Sequence, residues 1–187
     1  MNQAILDVFK NGLLTADDVT GKRVLEVGAY DVNGSVRPIV EALGPKSYLG
    51  VDLMAGPGVD EIADCGALVE TFGDAAFDVV VTTEMLEHVE DWKTCVLNLA
   101  GVTTSGGLLV VTTRSPGFPY HEYPSDYWRY TPETLESILT TAGLEVLECF
   151  PDPDPESPGV IAKARKSDRR IGDLDKCLQP EPMEVPT

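Results

Sequence analysis

Six short apolar runs, each of strand length, alternate along this chain with helix-like stretches, and that alternation limits the possible folds more than any other feature. The runs are RVLEVGA (23–29), SYLGVDL (47–53), FDVVVTT (77–83), GLLVVTT (107–113), LEVLECF (144–150) and GVIAKA (159–164). Most are near-continuously apolar, as expected of strands covered on both faces. Helical stretches are expected over Val36–Leu43, Met85–Ala100 and the short Cys65–Phe72. Another is expected from Thr131–Pro132, an N-cap with a first-turn proline, to a stop at Gly143. Residues 1–14 have the pattern of an amphipathic helix lying over the sheet. The last two runs are joined by FPDPDPESPG. That link is too short for a helical crossover, so an antiparallel hairpin is expected there. The pattern predicts an α/β fold, with a sheet and helices on both faces.

Composition narrows the function classes. The chain has 187 residues and a formal net charge of −17. Residues 163–176 hold six of its fourteen Lys and Arg, so residues 1–162 carry eight bases against twenty-six acids. Duplex binding needs clustered cations, so nucleic acid is not an expected partner. The basic run KARKSDRR reads as a solvated face rather than a membrane or nucleic-acid contact, and residues 166–187 as a mobile, Pro-rich tail after a domain ending at 165. No apolar run is long enough to span a membrane, and the N-terminal residues lack a signal-peptide pattern. The four cysteines (Cys65, Cys95, Cys149, Cys177) lie far apart, without CxxC spacing. Reduced thiols and a cytoplasmic location are the expectation.

The first strand leads into VLEVGAYDVNGS, a glycine-bearing βα loop of the kind that receives a nucleotide cofactor. A dinucleotide fingerprint starting at Gly28 would need glycines at 30 and 33, where Tyr30 and Asn33 stand. That counts against a nicotinamide-dependent oxidoreductase. The second strand ends at Asp52, twenty-four residues after Gly28, where a carboxylate can accept from both hydroxyls of a ribose.

VLEVGAYDVNGS, YLGVDL, EIADC, FDVVVTTEMLEHV and GGLLVVTT follow one another in an order that resembles the class I S-adenosylmethionine-dependent methyltransferases, the methyltransferase type 11 group above all. The resemblance covers about residues 20–165. It implies a Rossmann-like, seven-stranded, mostly parallel sheet with a C-terminal antiparallel hairpin. It places Asp52 at the ribose, Asp64 near the adenine amino group and the Gly28 loop beside the methionine moiety. Glu26, Thr83 and Glu84 would line the cofactor pocket, with Ala29, Tyr30, Gly34, Leu53 and Cys65 flanking it. The first loop departs from the group's G-x-G-x-G, keeping only Gly28 and a later Gly34.

Glu84, Glu87 and His88 read E-x-x-E-H, a spacing that shares one face of a helix. His121, the other of two histidines, follows the fifth strand. These four side chains are candidate ligands for a divalent cation such as magnesium, as in some small-RNA methyltransferases that the chain resembles here. In many metal-free relatives a similar stretch serves the cofactor pocket, and His88 or His121 is then the candidate general base. Residues 118–130 hold six of the thirteen aromatics. They read as a lid hinged near Gly117, with Tyr127, Arg114 and Arg129 offered to a phosphate- or sugar-bearing substrate. The alternative is a packed loop whose arginines pair with Glu122 and Asp126.

The expected activity is methyl transfer to an oxygen, or less favourably a nitrogen, of a small molecule. The rivals are a non-catalytic binding module on the same fold and the oxidoreductase.

Overall fold

The computed structural model describes residues 2–121 and 125–183. The chain opens with α1 (Gln3–Val8), capped by the Asn2 side chain, which accepts the Ile5 N–H at 2.9 Å. A π turn (Phe9–Leu13) follows, with Gly12 at φ 102°. Then come α2 (Ala16–Val19), β1 (Arg23–Val27), α3 (Arg37–Glu41), β2 (Ser47–Asp52) and β3 (Glu61–Ile62). A 3-10 turn (Cys65–Ala67) runs into α4 (Leu68–Phe72), and β4 (Phe77–Thr83) into a second 3-10 turn (Leu86–His88). The rest is α5 (Trp92–Val102), β5 (Thr103–Arg114), β6 (Trp128–Arg129), α6 (Pro132–Thr141), β7 (Leu144–Pro151), β8 (Gly159–Lys166) and β9 (Glu181–Pro182).

Seven strands form one sheet in the order β3-β2-β1-β4-β5-β8-β7. The pairs from β3 to β5 are parallel, and β8 runs antiparallel to both neighbours. This is the expected sheet with its expected hairpin. Strand alternation sends successive side chains to opposite faces. Val24, Val79, Val81, Leu108 and Val110 pack under α1, the π turn, α2 and α3. Leu25, Val80, Leu109 and Val111 pack under α4, α5 and α6. Both faces are covered, which is why the strand sequences are apolar throughout.

Three expectations need correcting. The helix expected from Met85 begins only at Trp92, where Asp91 caps it by accepting the Thr94 N–H at 3.1 Å. Before it, Glu84 takes φ 54° and residues 86–88 form the 3-10 turn, because Glu87 turns inward and is fully buried. Glu84, Glu87 and His88 therefore share a tight turn, not a helix face. Second, the aromatic segment is largely sunk into the fold. Tyr130 is fully buried, and Trp128 donates its indole N–H to the Val89 carbonyl at 3.0 Å. Tyr123 and Glu122 lie outside the described residues.

Third, the stretch expected as a tail lies against the domain as far as Met183. The Gly172 N–H donates to the Thr141 carbonyl at 2.7 Å, and β9 pairs antiparallel with β6. Leu174, 6% exposed, joins the core beside α6. Its surroundings in sequence are charged, so composition hid it. Burying one leucine contributes about 2 kcal/mol, worth roughly 4–8 °C in a chain of this size. Leu174→Ala is expected to lower the melting temperature by that amount; an unchanged melt would mean the segment adds nothing to stability.

Candidate active site

The strand order reverses between β1 and β4, and at such a switch point the loops leaving the carboxyl ends part to leave a crevice. Here it has a volume of about 350 Å³. Among its lining residues are Glu26, Gly28, Ala29, Tyr30, Gly34, Asp52, Leu53, Cys65, Thr83 and Glu84, all expected at a cofactor. Asp64 is not among them. It caps the following turn, accepting the Gly66 N–H at 2.8 Å.

The loops of this crevice are tied by Asp52. Its Oδ2 accepts the Tyr30 N–H and its Oδ1 the Met54 N–H, each at 3.2 Å. Each oxygen keeps a further lone pair for a ligand hydroxyl. Gly28 has φ 80°, and a Cβ there would sit 2.7 Å from Met85. The glycines missing from the first loop have counterparts in the second. A Cβ on Gly58 would lie 2.3 Å from the Ala29 carbonyl oxygen, and one on Gly56 would lie 2.0 Å from the Tyr30 ring. The loop after β2 thus closes against the loop after β1, and Tyr30 rests on glycine instead of filling the crevice. Nothing in the first loop's own sequence marks Gly56 and Gly58 as its support.

The floor of the crevice is acidic. Glu26 is 2% exposed and accepts the Tyr48 hydroxyl at 2.8 Å. Burial pushes its carboxyl up to about 7, against the pull of that hydrogen bond. Glu84 accepts the Thr112 hydroxyl at 2.9 Å and forms an ion pair with Arg114. Burial, then the neighbouring Glu87, push it up to about 7 while Arg114 opposes them. Glu87 accepts the Thr113 hydroxyl at 2.8 Å and is raised, chiefly by burial. Its other oxygen, Oε1, is buried with no hydrogen-bond partner among the described residues.

That oxygen faces both histidines. His88 Nε2 and His121 Nε2 each lie 3.9 Å from it, and the two rings meet edge to face with centroids 4.7 Å apart. His88 Nδ1 lies 2.5 Å from the Ser125 carbonyl, so it is the protonated nitrogen and Nε2 is bare. Burial lowers the pKa of both rings, and the proximity of His88 lowers His121 further. Both are neutral at neutral pH and able to accept a proton.

The remaining expected site residues stand elsewhere. Arg114 lines the crevice, but its guanidinium serves Glu84 and the Ser157 hydroxyl (2.9 Å) and stacks on Phe118, 4.0 Å from the ring centroid. Arg129 spends all five N–H groups on Asp126 and the carbonyls of Phe118, Pro119 and Trp128. It has no donor for a substrate anion. Tyr127 lies outside the crevice lining, with its backbone tied to the Glu87 carbonyl and the Met183 N–H. Phe118, which the sequence offered only as one aromatic among six, is the ring that lines the site beside His121. Of the four candidate metal ligands, Glu87, His88 and His121 offer donor atoms within 4.8 Å of one another. Glu84 is not with them, because Arg114 holds it.

A doubly covered, mostly parallel sheet with a crevice of this size at its switch point defines a Rossmann-like cofactor-binding protein. Residues 3–149 match the family described as methyltransferase domain, and the chain belongs to that family. An uncharacterized methyltransferase of Mycobacterium tuberculosis is 32% identical over 115 residues, 59% of this chain and 50% of that protein. The match thus spans half the length of the curated relative. Among solved structures, 1,6-didemethyltoxoflavin-N1-methyltransferase of Burkholderia thailandensis, with 1,6-didemethyltoxoflavin and S-adenosylhomocysteine bound, superposes with a TM-score of 0.72 at 18% identity, covering 89% of this chain and 80% of that one. An S-adenosylmethionine-dependent methyltransferase from Mesorhizobium loti gives 0.65 at 19% identity, covering 88% and 98%. At such identities the likeness is one of fold: the chain has the fold of S-adenosylmethionine-dependent methyltransferases.

The raised carboxyl of Glu26 makes a signed prediction. A folded value near 7 against about 4.3 unfolded means the native state holds the proton longer. Stability therefore falls as pH rises between those values, by about 4 kcal/mol in all. Glu26→Gln removes that loss. Its melting temperature relative to wild type is expected to be roughly 8–16 °C more favourable at pH 8 than at pH 4. A difference independent of pH would contradict the assignment.

Proposed function

We propose that this protein is an S-adenosylmethionine-dependent methyltransferase that methylates a hydroxyl of a small molecule, with His121 as general base. The reading rests above all on one observation: the His88 and His121 imidazoles, both lowered in pKa by burial, stand at the same crevice as the Asp52 carboxylate. Bound in that crevice, S-adenosylmethionine supplies an electrophilic methyl group to an acceptor aligned in line with it. Asp52 holds the ribose hydroxyls. Glu26 and Glu84 give the crevice floor its acid character, which suits a cationic cofactor. His121 Nε2 takes the hydroxyl proton as the acceptor oxygen attacks, and His88 packs edge-on beside it. Phe118 gives the acceptor an apolar wall. A neutral amine acceptor would need no base, and the paired imidazoles favour oxygen over it.

An anion clamp for a phosphate-bearing substrate has little support, since Arg114 and Arg129 are both committed internally. An uncharged acceptor, a phenol or a sugar hydroxyl, fits the site better. Magnesium fits poorly too. Two imidazoles and one carboxylate are a nitrogen-rich set, whereas magnesium takes oxygen ligands. No step is assigned to a metal, and EDTA is expected to leave turnover unchanged; loss of turnover restored by added magnesium would reverse that. A cytoplasmic location and a small-molecule partner complete the reading, in keeping with the absence, among the described residues, of a helix long and apolar enough to cross a membrane.

Two measurements test it. Calorimetry with S-adenosylhomocysteine is expected to show binding that Asp52→Ala weakens by about 10²-fold or more, from the loss of charge-assisted hydrogen bonds. No binding heat from the wild type at millimolar ligand would end the proposal. S-adenosylhomocysteine formation from S-adenosylmethionine, scanned over phenols, catechols, glycosides and amines, is expected with a hydroxyl acceptor. His121→Ala should reduce it by about 10²-fold. Cofactor binding without turnover on any acceptor would favour the non-catalytic module.

A further inference from the structure

His121 lies in a connection between elements, yet its side chain is held by a buried relay. Arg129, 3% exposed, donates Nη1 to Asp126 Oδ1 at 2.5 Å and Nη2 to Asp126 Oδ2 at 2.6 Å. Its other N–H groups reach the carbonyls of Phe118, Trp128 and Pro119 at 3.3, 2.9 and 3.1 Å. Asp126, 4% exposed, then serves His121 twice through the same oxygen. Oδ2 accepts the His121 backbone N–H at 2.9 Å and stands 3.1 Å from ring Nδ1. A carboxylate paired with Arg129 only accepts, so Nδ1 carries the proton and Nε2 stays bare. The bare nitrogen is the one facing Glu87 Oε1 at the crevice.

A buried Arg–Asp pair adds little net stability, because desolvation offsets the attraction. Arg129 alone would satisfy Asp126. What this pair does that an apolar pair of the same size cannot is choose the tautomer of a histidine. We propose that Asp126 is a positioning residue for methyl transfer, holding His121 as the Nδ1–H tautomer, and that Arg129 keeps Asp126 ionised and aimed. The inference rests on His121 being the base and adds that its competence depends on a side chain that never touches the acceptor. During transfer the acceptor O–H proton moves to Nε2 while the oxygen bonds the methyl carbon and the carbon–sulfur electron pair passes to sulfur. The imidazolium so formed keeps its Nδ1–H on the Asp126 carboxylate, which stabilises it.

The test uses the full chain labelled with 15N-histidine, with two-bond proton–nitrogen correlation spectra to report the tautomer and His121→Ala to assign the signals. Wild-type His121 is expected as Nδ1–H. Asp126→Asn is expected to shift it to Nε2–H, because the asparagine amide can donate to Nδ1. The kcat for S-adenosylhomocysteine formation, on the hydroxyl acceptor found in the panel above, should fall about 10²-fold while the KM for S-adenosylmethionine changes by less than about twofold. Asp126→Glu keeps a carboxylate and should retain Nδ1–H and turnover to within about tenfold of wild type. A wild-type Nε2–H tautomer, or Asp126→Asn with tautomer and kcat unchanged, overturns the proposal. If Asp126→Asn fails to fold, the wild-type spectrum and the Asp126→Glu variant still decide. His121→Ala with undiminished turnover would remove the base reading instead, and would leave the tautomer result standing.

Discussion

The floor of the crevice is stapled together by three consecutive residues at the end of β5. Thr112 donates to Glu84, Thr113 donates to Glu87, and Arg114 pairs with Glu84. Two carboxylates are buried there, and burial without partners would cost several kcal/mol each. The staple offsets that cost and dictates much around it. It draws the β4–α5 connection inward, so the chain cannot enter a helix at Met85. It takes Arg114 out of contention as a substrate clamp. It turns the next residue, His88, toward the crevice, where its ring meets His121.

The same constraint explains which parts of the sequence could be read. Strand identity depends on side-chain alternation against two covered faces, and RVLEV or FDVVVTT displays that directly. The start and stop of α6 depend on local chemistry, the Thr131 cap, Pro132 and Gly143, and they fell where expected. That Asp52 lines the crevice was legible because the carboxyl end of a central parallel strand opens onto it. The position of α5 was not, because the apolar spacing of Met85, Val89 and Trp92 mimics a helix. What broke the helix was a long-range bond from Thr113 to Glu87, invisible from either end. Arg129 was misplaced for a similar reason. Its partners are carbonyls and one aspartate, whereas an arginine in an acidic chain advertises itself as an anion site.

The first loop shows how a missing signature can be supplied from elsewhere. Glycines in a cofactor loop give clearance for close backbone approach. Here the clearance lies in the loop after β2, at Gly56 and Gly58, which admit the Tyr30 ring and the Ala29 carbonyl. A pattern search along one loop would score this chain as altered. The contact between two loops shows the same space being made, with Asp52 bonded to both.

Under the proposed function, the acids of the floor would also bear on how tightly a cationic cofactor is held. A site that stabilised the sulfonium strongly in the ground state would slow its neutralisation in the transition state. Glu26 and Glu84, both lifted to about 7, are partly protonated at neutral pH and so present a muted negative field. Glu84 is further neutralised by Arg114. Asp52, where the proposed reading puts the ribose, stands at the end of β2, while His88 and His121 line the crevice from the segments after β4 and β5. On that proposed reading, charge for binding would come from the end of β2 and proton acceptance from the segments after β4 and β5.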